Sequence, residues 1–465
     1  MILLEDDSRE EDGDGGAEFG VVRRRTAKKG GADLLAALIE RRTVCLRKLG
    51  RTRAGEVRFG RLLRNAAVTA AEMIAEQARA VGERAAGRHV LAIQDTTEIN
   101  LNAHRASKRG FGTAGNGCDI GLFLHPVIAL EAGHGGILGL VDAQVINRTR
   151  GKVLDRKKRP LARKESWRWI AGQRRAREVL REARSVTVVA DRESDIYAAF
   201  AARAEGLHLI IRAAQDRALD DGGRLFATVA GWTAEKDRLT VKVPVKPGQS
   251  GREACLALRF GAVTLRRPKG ESHSLPEEIA LWAVDVREEH PPHGATPVHW
   301  LLLTSHRLAS PEDARRIIAW YRMRWTIEQV FRTLKSNGFD VEDSQVIAAE
   351  SFIKLLIAAL IAALFTMQLV HARHGATGQR LADAMTRFDC HFLAALTRRL
   401  EGKTDKQKNP HPPDSLAYLA WIAGRLGGWS GYTSKGYKPP GPKTMHDGLI
   451  QLEARHQGWI IAKDV

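Results

Sequence analysis

Cysteine is scarce in this sequence, and its spacing limits the kinds of site the chain can build. The 465 residues include four cysteines, Cys45, Cys118, Cys255 and Cys390, which lie far apart and form no C-x2-C pair. This spacing argues against a zinc site built on paired cysteines and fits a protein kept reduced in the cytoplasm. Acidic residues follow the short apolar start Met1–Leu4 at once, so we expect no secretory signal.

The motifs of several common enzyme classes are missing as well. The chain has no phosphate-binding G-x4-G-K-[ST] loop and no G-x-S-x-G around a nucleophilic serine. These absences argue against a P-loop ATPase and against a serine hydrolase of that type. Tyrosine is also scarce, with five residues. Together with an excess of positive charge, this scarcity argues against a glycosidase that uses paired carboxylates.

One long hydrophobic run occurs, LLIAALIAALFTMQLV at Leu355–Val370. It is short for a bilayer span, which needs about 20 residues, and no belt of aromatic residues flanks it. We therefore predict a helix buried in the core of a globular protein, with no membrane association.

Positive charge dominates the composition, with 73 Lys and Arg against 54 Asp and Glu and a net charge of +19. This excess favours a polyanionic partner, although charge alone does not separate DNA from RNA or an anionic membrane. The densest basic stretch is Arg148–Arg168, which we interpret as a DNA-contacting segment. The N-terminus has the opposite sign, since residues 1–16 hold seven acids and one arginine. We expect residues 1–22 to form an acidic disordered tail.

Two aspartates each follow a short apolar segment with β character. Asp95 comes after His89–Ile93, and Asp191 comes after Val186–Ala190. Runs of this length and composition are typical of buried strands. A carboxylate at the end of a buried strand is costly unless a charged group binds it, although such an aspartate can also cap a following helix. Spacing alone does not distinguish the two from their acidic neighbours Glu98, Glu193 and Asp195.

A third carboxylate lies in a charged helical stripe. Tyr321, Arg324, Glu328 and Lys335 have the spacing Y-x2-R-x3-E-x6-K within Ala319–Lys335. At about 100° per residue on one α-helix, these four side chains fall within an arc of roughly 60°. Arg324 and Glu328 are also i,i+4 neighbours, and such pairs are common on solvated helix faces. Because two strand-end aspartates accompany this stripe, we favour a catalytic role for it over a solvated helix face.

Carboxylates in three such settings indicate divalent-cation chemistry. Oxygen ligands suit hard cations such as Mg²⁺ or Mn²⁺. Two such ions, about 3.5–4 Å apart, can activate a water and stabilise the leaving oxygen in phosphodiester hydrolysis. We therefore predict that Asp95, Asp191 and Glu328 converge in one metal-binding pocket.

These motifs, in this order, resemble those of the DDE transposases of bacterial insertion sequences, in the subgroup with the Y-x2-R-x3-E-x6-K signature. The resemblance runs from about Phe59 to the C-terminus. Besides the helical stripe, it rests on DTT at Asp95–Thr97, GLFLHPVIALE at Gly121–Glu131, KESWRW at Lys164–Trp169, ADRESDI at Ala190–Ile196, IIRA at Ile210–Ala213 and HWLLLTS at His299–Ser305.

The resemblance implies cut-and-paste DNA transposition with Asp95, Asp191 and Glu328 as the catalytic, metal-binding residues. Mg²⁺ would be the cofactor, and Mn²⁺ would substitute. The reaction would comprise end nicking, hairpin formation and resolution, and strand transfer to target DNA. The partners would be double-stranded DNA at the transposon ends and at the target, bound by a homodimer in the bacterial cytoplasm, at the nucleoid.

The resemblance also implies a set of DNA contacts. Tyr321, Arg324 and Lys335 would hold phosphates through charge-assisted contacts. Trp300 would stack on a base flipped out of the duplex. Arg212 would contact DNA near the metal ions.

The expected fold class is α/β, with an RNase H-like catalytic core in which helices flank a mixed sheet. We predict a helix at about Glu165–Ala183 and strands at His89–Ile93, Leu122–Leu130, Ile137–Val145, Val186–Ala190 and Leu207–Arg212. His125, on the second of these strands, is interpreted as a core histidine. The expected domains are the acidic tail (1–22), a helical DNA-binding region (23–80), a catalytic domain (81–370) with a β-rich insertion at about 217–297, and a helical dimerisation region (371–465).

Two other functions fit the same residues. One is an RNase H-like, metal-dependent DNA nuclease without strand transfer. The other is a non-catalytic DNA-binding protein, either a relic or an inhibitor of transposition. The presence of all three acids favours an active enzyme.

Overall fold

The computed structural model describes residues 16–148, 160–243, 251–336, 338–384, 388–431 and 438–463. Most of the predicted acidic tail and the middle of the basic stretch Arg148–Arg168 lie outside these residues. A helix begins at Gly16, inside the segment expected to be disordered. The boundary of the acidic tail at residue 22 stays a prediction.

The described chain combines helices and strands, as the α/β prediction requires. Its α-helices are α1 (Gly16–Arg41), α2 (Leu46–Gly50), α3 (Arg53–Arg64), α4 (Ala70–Ala85), α5 (Trp167–Val179), α6 (Tyr197–Ala201), α7 (Leu225–Ala230), α8 (Pro311–Arg322), α9 (Trp325–Lys335), α10 (Ala349–Ala372), α11 (Cys390–Leu400), α12 (Leu416–Leu426) and α13 (Pro442–Lys463). Its strands are β1 (His89–Gln94), β2 (Thr97–Asn100), β3 (Gly112–Thr113), β4 (Ile120–Glu131), β5 (Ile137–Ile146), β6 (Ser185–Ala190), β7 (Leu207–Arg212), β8 (Leu239–Val243), β9 (Arg252–Arg266), β10 (Glu278–Glu288) and β11 (His299–Thr304).

The chain divides into two compact units, each built from segments that are not contiguous in the sequence. The first comprises Met1–Ala85, Thr96–Lys164 and Thr326–Val465, and the second comprises Ala86–Asp95 and Glu165–Trp325. The predicted N-terminal and C-terminal regions thus fold together in the first unit, along with β2 to β5. The reason lies in α10, which is apolar on all sides and is covered by α1, β5, α12 and α13.

The helix α10 contains the long hydrophobic run and lies in the core of the first unit. It is long and apolar enough to cross a membrane, yet 89% of its most apolar window is buried inside the protein. The predicted buried helix at Leu355–Val370 is therefore confirmed. In the same unit β4 pairs antiparallel with β2, β3 and β5. His125 on β4 is fully buried, and its Nδ1 lies 2.9 Å from Thr96 Oγ1, which confirms a core histidine.

The second unit is built on a mixed sheet in the order β1-β6-β7-β11-β10-β9-β8. Strands β1, β6 and β7 are parallel, whereas the remaining neighbours are antiparallel. Helix α5 packs against β1 and β6, and α8 packs against β6 and β10. The region predicted as a β-rich insertion contains β8, β9 and β10. This sheet places the carboxyl ends of β1 and β6 side by side.

A cluster of histidines lies within the second unit. Thr187 Oγ1 is 2.8 Å from His89 Nε2 and 2.9 Å from His306 Nε2. The ring of His306 stacks on that of His208, with centroids 3.9 Å apart. Burial lowers the pKa of His306 to about 3, and the nearby His208 and His89 act in the same direction. The folded protein therefore keeps His306 neutral at any moderately acidic pH.

His306 should make the protein less stable as the pH falls. The unfolded chain binds a proton on His306 below its ordinary pKa of about 6.5, whereas the folded protein does not. The stabilisation is therefore present above pH ~6.5 and is lost progressively toward pH ~3. We expect His306→Gln to show a shallower fall of Tm between pH 7 and 5 than the wild type, measured by thermal denaturation. The exposed His391 is the control, and His391→Gln should keep the wild-type slope. Equal slopes for His306→Gln and wild type would contradict the assignment.

Candidate active site

Asp95 and Asp191 lie level with each other at the ends of two neighbouring strands. The parallel register of β1 and β6 pairs His89 with Ser185 and Ile93 with Val189. The same register, continued by two residues, aligns Asp95 with Asp191. Neighbouring strands lie about 4.8 Å apart, and the residues before both aspartates are fully buried. The prediction that each aspartate follows a buried strand is confirmed, and the sheet brings the two together.

Tyr321, near the end of α8, contacts Asp191. Its phenol donates a hydrogen bond to Asp191 Oδ1 over 3.4 Å, and the side chain is buried, with 2% of the residue exposed. Burial raises the pKa of the Tyr321 phenol, and the negative charge of Asp191 raises it further against the opposing effect of Arg324. The phenol therefore stays protonated and acts as a donor to the carboxylate.

Arg324 forms an ion pair with Asp95. Its Nη1 donates to Asp95 Oδ2 over 2.8 Å, with side-chain exposures of 7% for Arg324 and 20% for Asp95. The guanidinium carbon lies 5.7 Å from the ring centroids of both Tyr321 and Trp325. Such a short, charge-assisted contact fixes the orientation of the carboxylate. The resemblance implies only phosphate contacts for Tyr321 and Arg324, so neither of these contacts with an aspartate was predicted.

The predicted single helix over Ala319–Lys335 is wrong. Helix α8 ends at Arg322 and α9 begins at Trp325. Between them the backbone tightens, because Met323 N–H bonds to Trp320 O over 3.1 Å and Arg324 N–H bonds to Tyr321 O over 3.0 Å. These i→i−3 bonds are typical of a 3₁₀ turn, so the regular 100° spacing does not extend across the segment. Tyr321 therefore belongs to α8 and Glu328 to α9.

Glu328 and Lys335 lie on α9 in the first unit, two turns apart on one face of the helix. Glu328 is half-buried. Lys335 Nζ donates to the backbone oxygen of Glu98 over 2.8 Å and lies 3.2 Å from Glu342 Oε1. The convergence of Glu328 with the two aspartates stays a prediction, as does a phosphate contact by Lys335.

Trp300 and Arg212 lie on the neighbouring strands β11 and β7 of the second unit. The ring centroid of Trp300, which is half-buried, is 6.1 Å from that of Tyr321. Arg212 Nη2 donates to the backbone oxygen of His299 over 3.0 Å. The second unit thus brings Trp300 next to the tyrosine that contacts Asp191. The DNA contacts of Trp300 and Arg212 remain predictions.

The acidic neighbours of the two aspartates have structural partners. Asp195 is buried and accepts hydrogen bonds from Ala214 N–H at 2.7 Å, Gln215 N–H at 2.9 Å and Arg217 Nε at 2.9 Å. Glu193 is exposed and forms an ion pair with Arg168 at 2.7 Å. Glu98 Oε2 accepts from Gly115 N–H at 3.0 Å. The choice of Asp191 over Glu193 and Asp195 as the metal-binding acid stays a prediction, and these contacts support it.

The donor set at the strand ends fits a hard divalent cation. It consists of two carboxylates on adjacent strand ends, and oxygen-only ligands of this kind favour Mg²⁺ or Mn²⁺. Asp95 is partly exposed, so an ion reaching it from solvent need not cross the core. Arg324 already forms an ion pair with Asp95, so a cation that binds Asp95 lies close to a second positive charge.

A comparison with known protein families agrees with this chemistry. Residues 170–365 match the family model described as the transposase DDE domain. The matched segment contains Asp191, Trp300, Tyr321, Arg324 and Glu328, whereas Asp95 precedes it. DDE transposases generally use divalent metals, and the family implies DNA binding. The match shows that residues 170–365 are similar to the DDE domain of transposases.

Proposed function

We propose that this protein is a cut-and-paste transposase that cuts and joins DNA by divalent-metal-dependent phosphoryl transfer. The observation that carries the proposal is the level placement of Asp95 and Asp191 on adjacent parallel strands, each with a partner from the Y-x2-R-x3-E-x6-K segment. The RNase H-like arrangement of the catalytic core is part of the proposal.

Asp95, Asp191 and Glu328 would hold Mg²⁺, with Mn²⁺ able to replace it. Divalent ions in such a site activate the attacking oxygen and stabilise the leaving oxygen of a phosphodiester. The chain itself supplies the fixed positions of the carboxylates. Arg324 orients Asp95, and the protonated phenol of Tyr321 orients Asp191. Rigid placement of this kind matters because small errors in the positions of reacting groups lower the rate sharply.

Four exchanges at phosphorus would complete the reaction. Water first attacks the phosphodiester at the element's end, and the bond to the 3′ oxygen breaks to free a 3′-OH. That hydroxyl attacks a phosphodiester of the opposite strand and releases the flanking DNA with a free 3′-OH, which leaves a hairpin on the element's end. A second water attacks the hairpin phosphodiester and frees the 3′-OH of the element again. The new 3′-OH then attacks a phosphodiester of target DNA and releases a target 3′-OH. Each step exchanges one P–O bond for another, so one active site suffices.

DNA binding would depend on the positive charge of the chain and on a few side chains that contact the DNA directly. The net charge of +19 suits a partner with a dense phosphate backbone. We propose that Trp300 stacks on an unpaired base beside the site, and that Arg212 and Lys335 contact the backbone. A homodimer on paired transposon ends, in the cytoplasm at the nucleoid, completes the proposal.

Joining of a pre-cut DNA end to a plasmid tests this function directly. The purified protein should join a duplex ending in the element's terminal sequence and a free 3′-OH to supercoiled plasmid, in Mg²⁺ or Mn²⁺ and not in EDTA. The joined product is measured on a gel. The Trp300→Ala protein, assayed in parallel, should still nick the end but form less hairpin, because stacking offsets part of the unstacking cost.

The alternatives give different products when an uncut end duplex is assayed beside the pre-cut one. End cleavage without any joined plasmid would identify a nuclease of this fold without strand transfer. Binding of the end duplex with neither cleavage nor joining would identify a non-catalytic DNA-binding protein. Either result would refute the proposed function.

A further inference from the structure

We propose that Arg324 sets the affinity of the site for divalent ions by occupying the cation position at Asp95 before an ion arrives. The inference rests on the proposed function, and it assigns Arg324 a positioning role toward the carboxylate of Asp95.

Arg324 is buried, and its charged group contacts the carboxylate of Asp95. Only 6% of the residue is exposed. Its guanidinium is flanked by the rings of Tyr321 and Trp325, with its carbon 5.7 Å from each centroid. The contact already formed is the 2.8 Å bond to Asp95 Oδ2.

The two aspartates differ in the charge of their partners. Arg324 brings a full positive charge to Asp95, whereas Tyr321 brings a neutral phenol to Asp191. A cation close to a carboxylate weakens the attraction of that carboxylate for a second cation. A divalent ion must therefore share Asp95 with the guanidinium or displace it. Tyr321 has no comparable effect at Asp191, so the chain offers a matched control within the same site.

Removal of the guanidinium charge should strengthen metal binding. In Arg324→Gln, Asp95 keeps its negative charge and loses its cationic partner. The ion-free protein should then melt at a lower temperature, since a partly buried carboxylate has lost its ion pair. Its affinity for Mn²⁺ should rise by about tenfold, the size expected for loss of one nearby charge. Arg324→Lys keeps a charge and should stay close to the wild type.

The experiment measures metal binding without DNA. Full-length wild type, Arg324→Gln, Arg324→Lys, Tyr321→Phe and Asp95→Asn are titrated with Mn²⁺ by calorimetry and by thermal shift. We expect the Mn²⁺-induced gain in Tm to be largest for Arg324→Gln. Tyr321→Phe, which removes a hydrogen bond without changing charge, should alter the Mn²⁺ affinity much less. Arg324→Met, which keeps the ring contacts, replaces Arg324→Gln if that variant does not fold.

Two results separate this inference from the proposed function. Equal or weaker Mn²⁺ binding by the charge-free Arg324 variants, with Asp95→Asn abolishing the wild-type response, would refute the role of Arg324 and leave the metal site intact. A wild-type protein that gives the same Mn²⁺ response as Asp95→Asn would refute the metal site and the proposed function together.

Discussion

Asp191→Asn will abolish cleavage of transposon-end DNA while the protein stays folded and bound to DNA. The substitution removes a negative charge from the strand end and keeps the shape of the side chain. Its amide oxygen can still accept the hydrogen bond from Tyr321, so β6 and α8 keep their contact. A neutral amide is a much poorer ligand for a hard cation than a carboxylate. Because the cation contributes several kcal/mol to phosphoryl transfer, we expect a loss of about a thousandfold or more.

Cleavage of a labelled end duplex measures this effect, with gel shift for DNA binding and thermal denaturation for folding. The control is Glu193→Gln, two residues along the chain. Glu193 is exposed and pairs with Arg168 at 2.7 Å, so its loss should change cleavage little. If Asp191→Asn cleaved within about threefold of the wild type, the metal-binding role of Asp191 would be untenable.

The sequence predicted the elements around the site well because those elements are set locally. Short β-branched runs indicated β1 and β6, and each ended at the expected aspartate. Whether the two strands would be neighbours in register is a matter of long-range pairing, and the local pattern carried no information on it. The resemblance supplied that information by relating the motifs to one active site.

The contacts of Arg324 and Tyr321 with the two aspartates could not be predicted from the local sequence pattern. The bond from Arg324 to Asp95 joins residues 229 positions apart in the chain. An ideal helix over Ala319–Lys335 also assumed unbroken i→i−4 bonding, which the turn at Met323 interrupts. Likewise, the linear domain boundaries missed that α10 gathers the N-terminal and C-terminal helices around itself. Tertiary packing decides each of these features.

Asp195, four residues after Asp191, should show the opposite behaviour, with a large effect on stability and none on chemistry. Its carboxylate and the Arg217 guanidinium have side-chain exposures of 0% and 2%. Loss of one member of a buried ion pair leaves the other without its counter-charge, which costs about 3–5 kcal/mol. Asp195→Ala also strips the backbone N–H groups of Ala214 and Gln215 of their acceptor. We expect Asp195→Ala and Arg217→Met each to lower the free energy of unfolding by this amount.

Urea denaturation of Asp195→Leu, Arg217→Met and Asp195→Leu/Arg217→Met measures the interaction by a double-mutant cycle. The double variant should regain part of the lost stability, since replacing both charges by apolar groups removes the unpaired charge. The backbone donors of Ala214 and Gln215 remain unsatisfied in it, so recovery should be incomplete. Cleavage per folded molecule should be unchanged in Arg217→Met, which distinguishes a structural acid from the catalytic one. A cleavage defect in fully folded Arg217→Met would instead place Asp195 in the active site, and the assignment of Asp191 alone at the end of β6 would need revision.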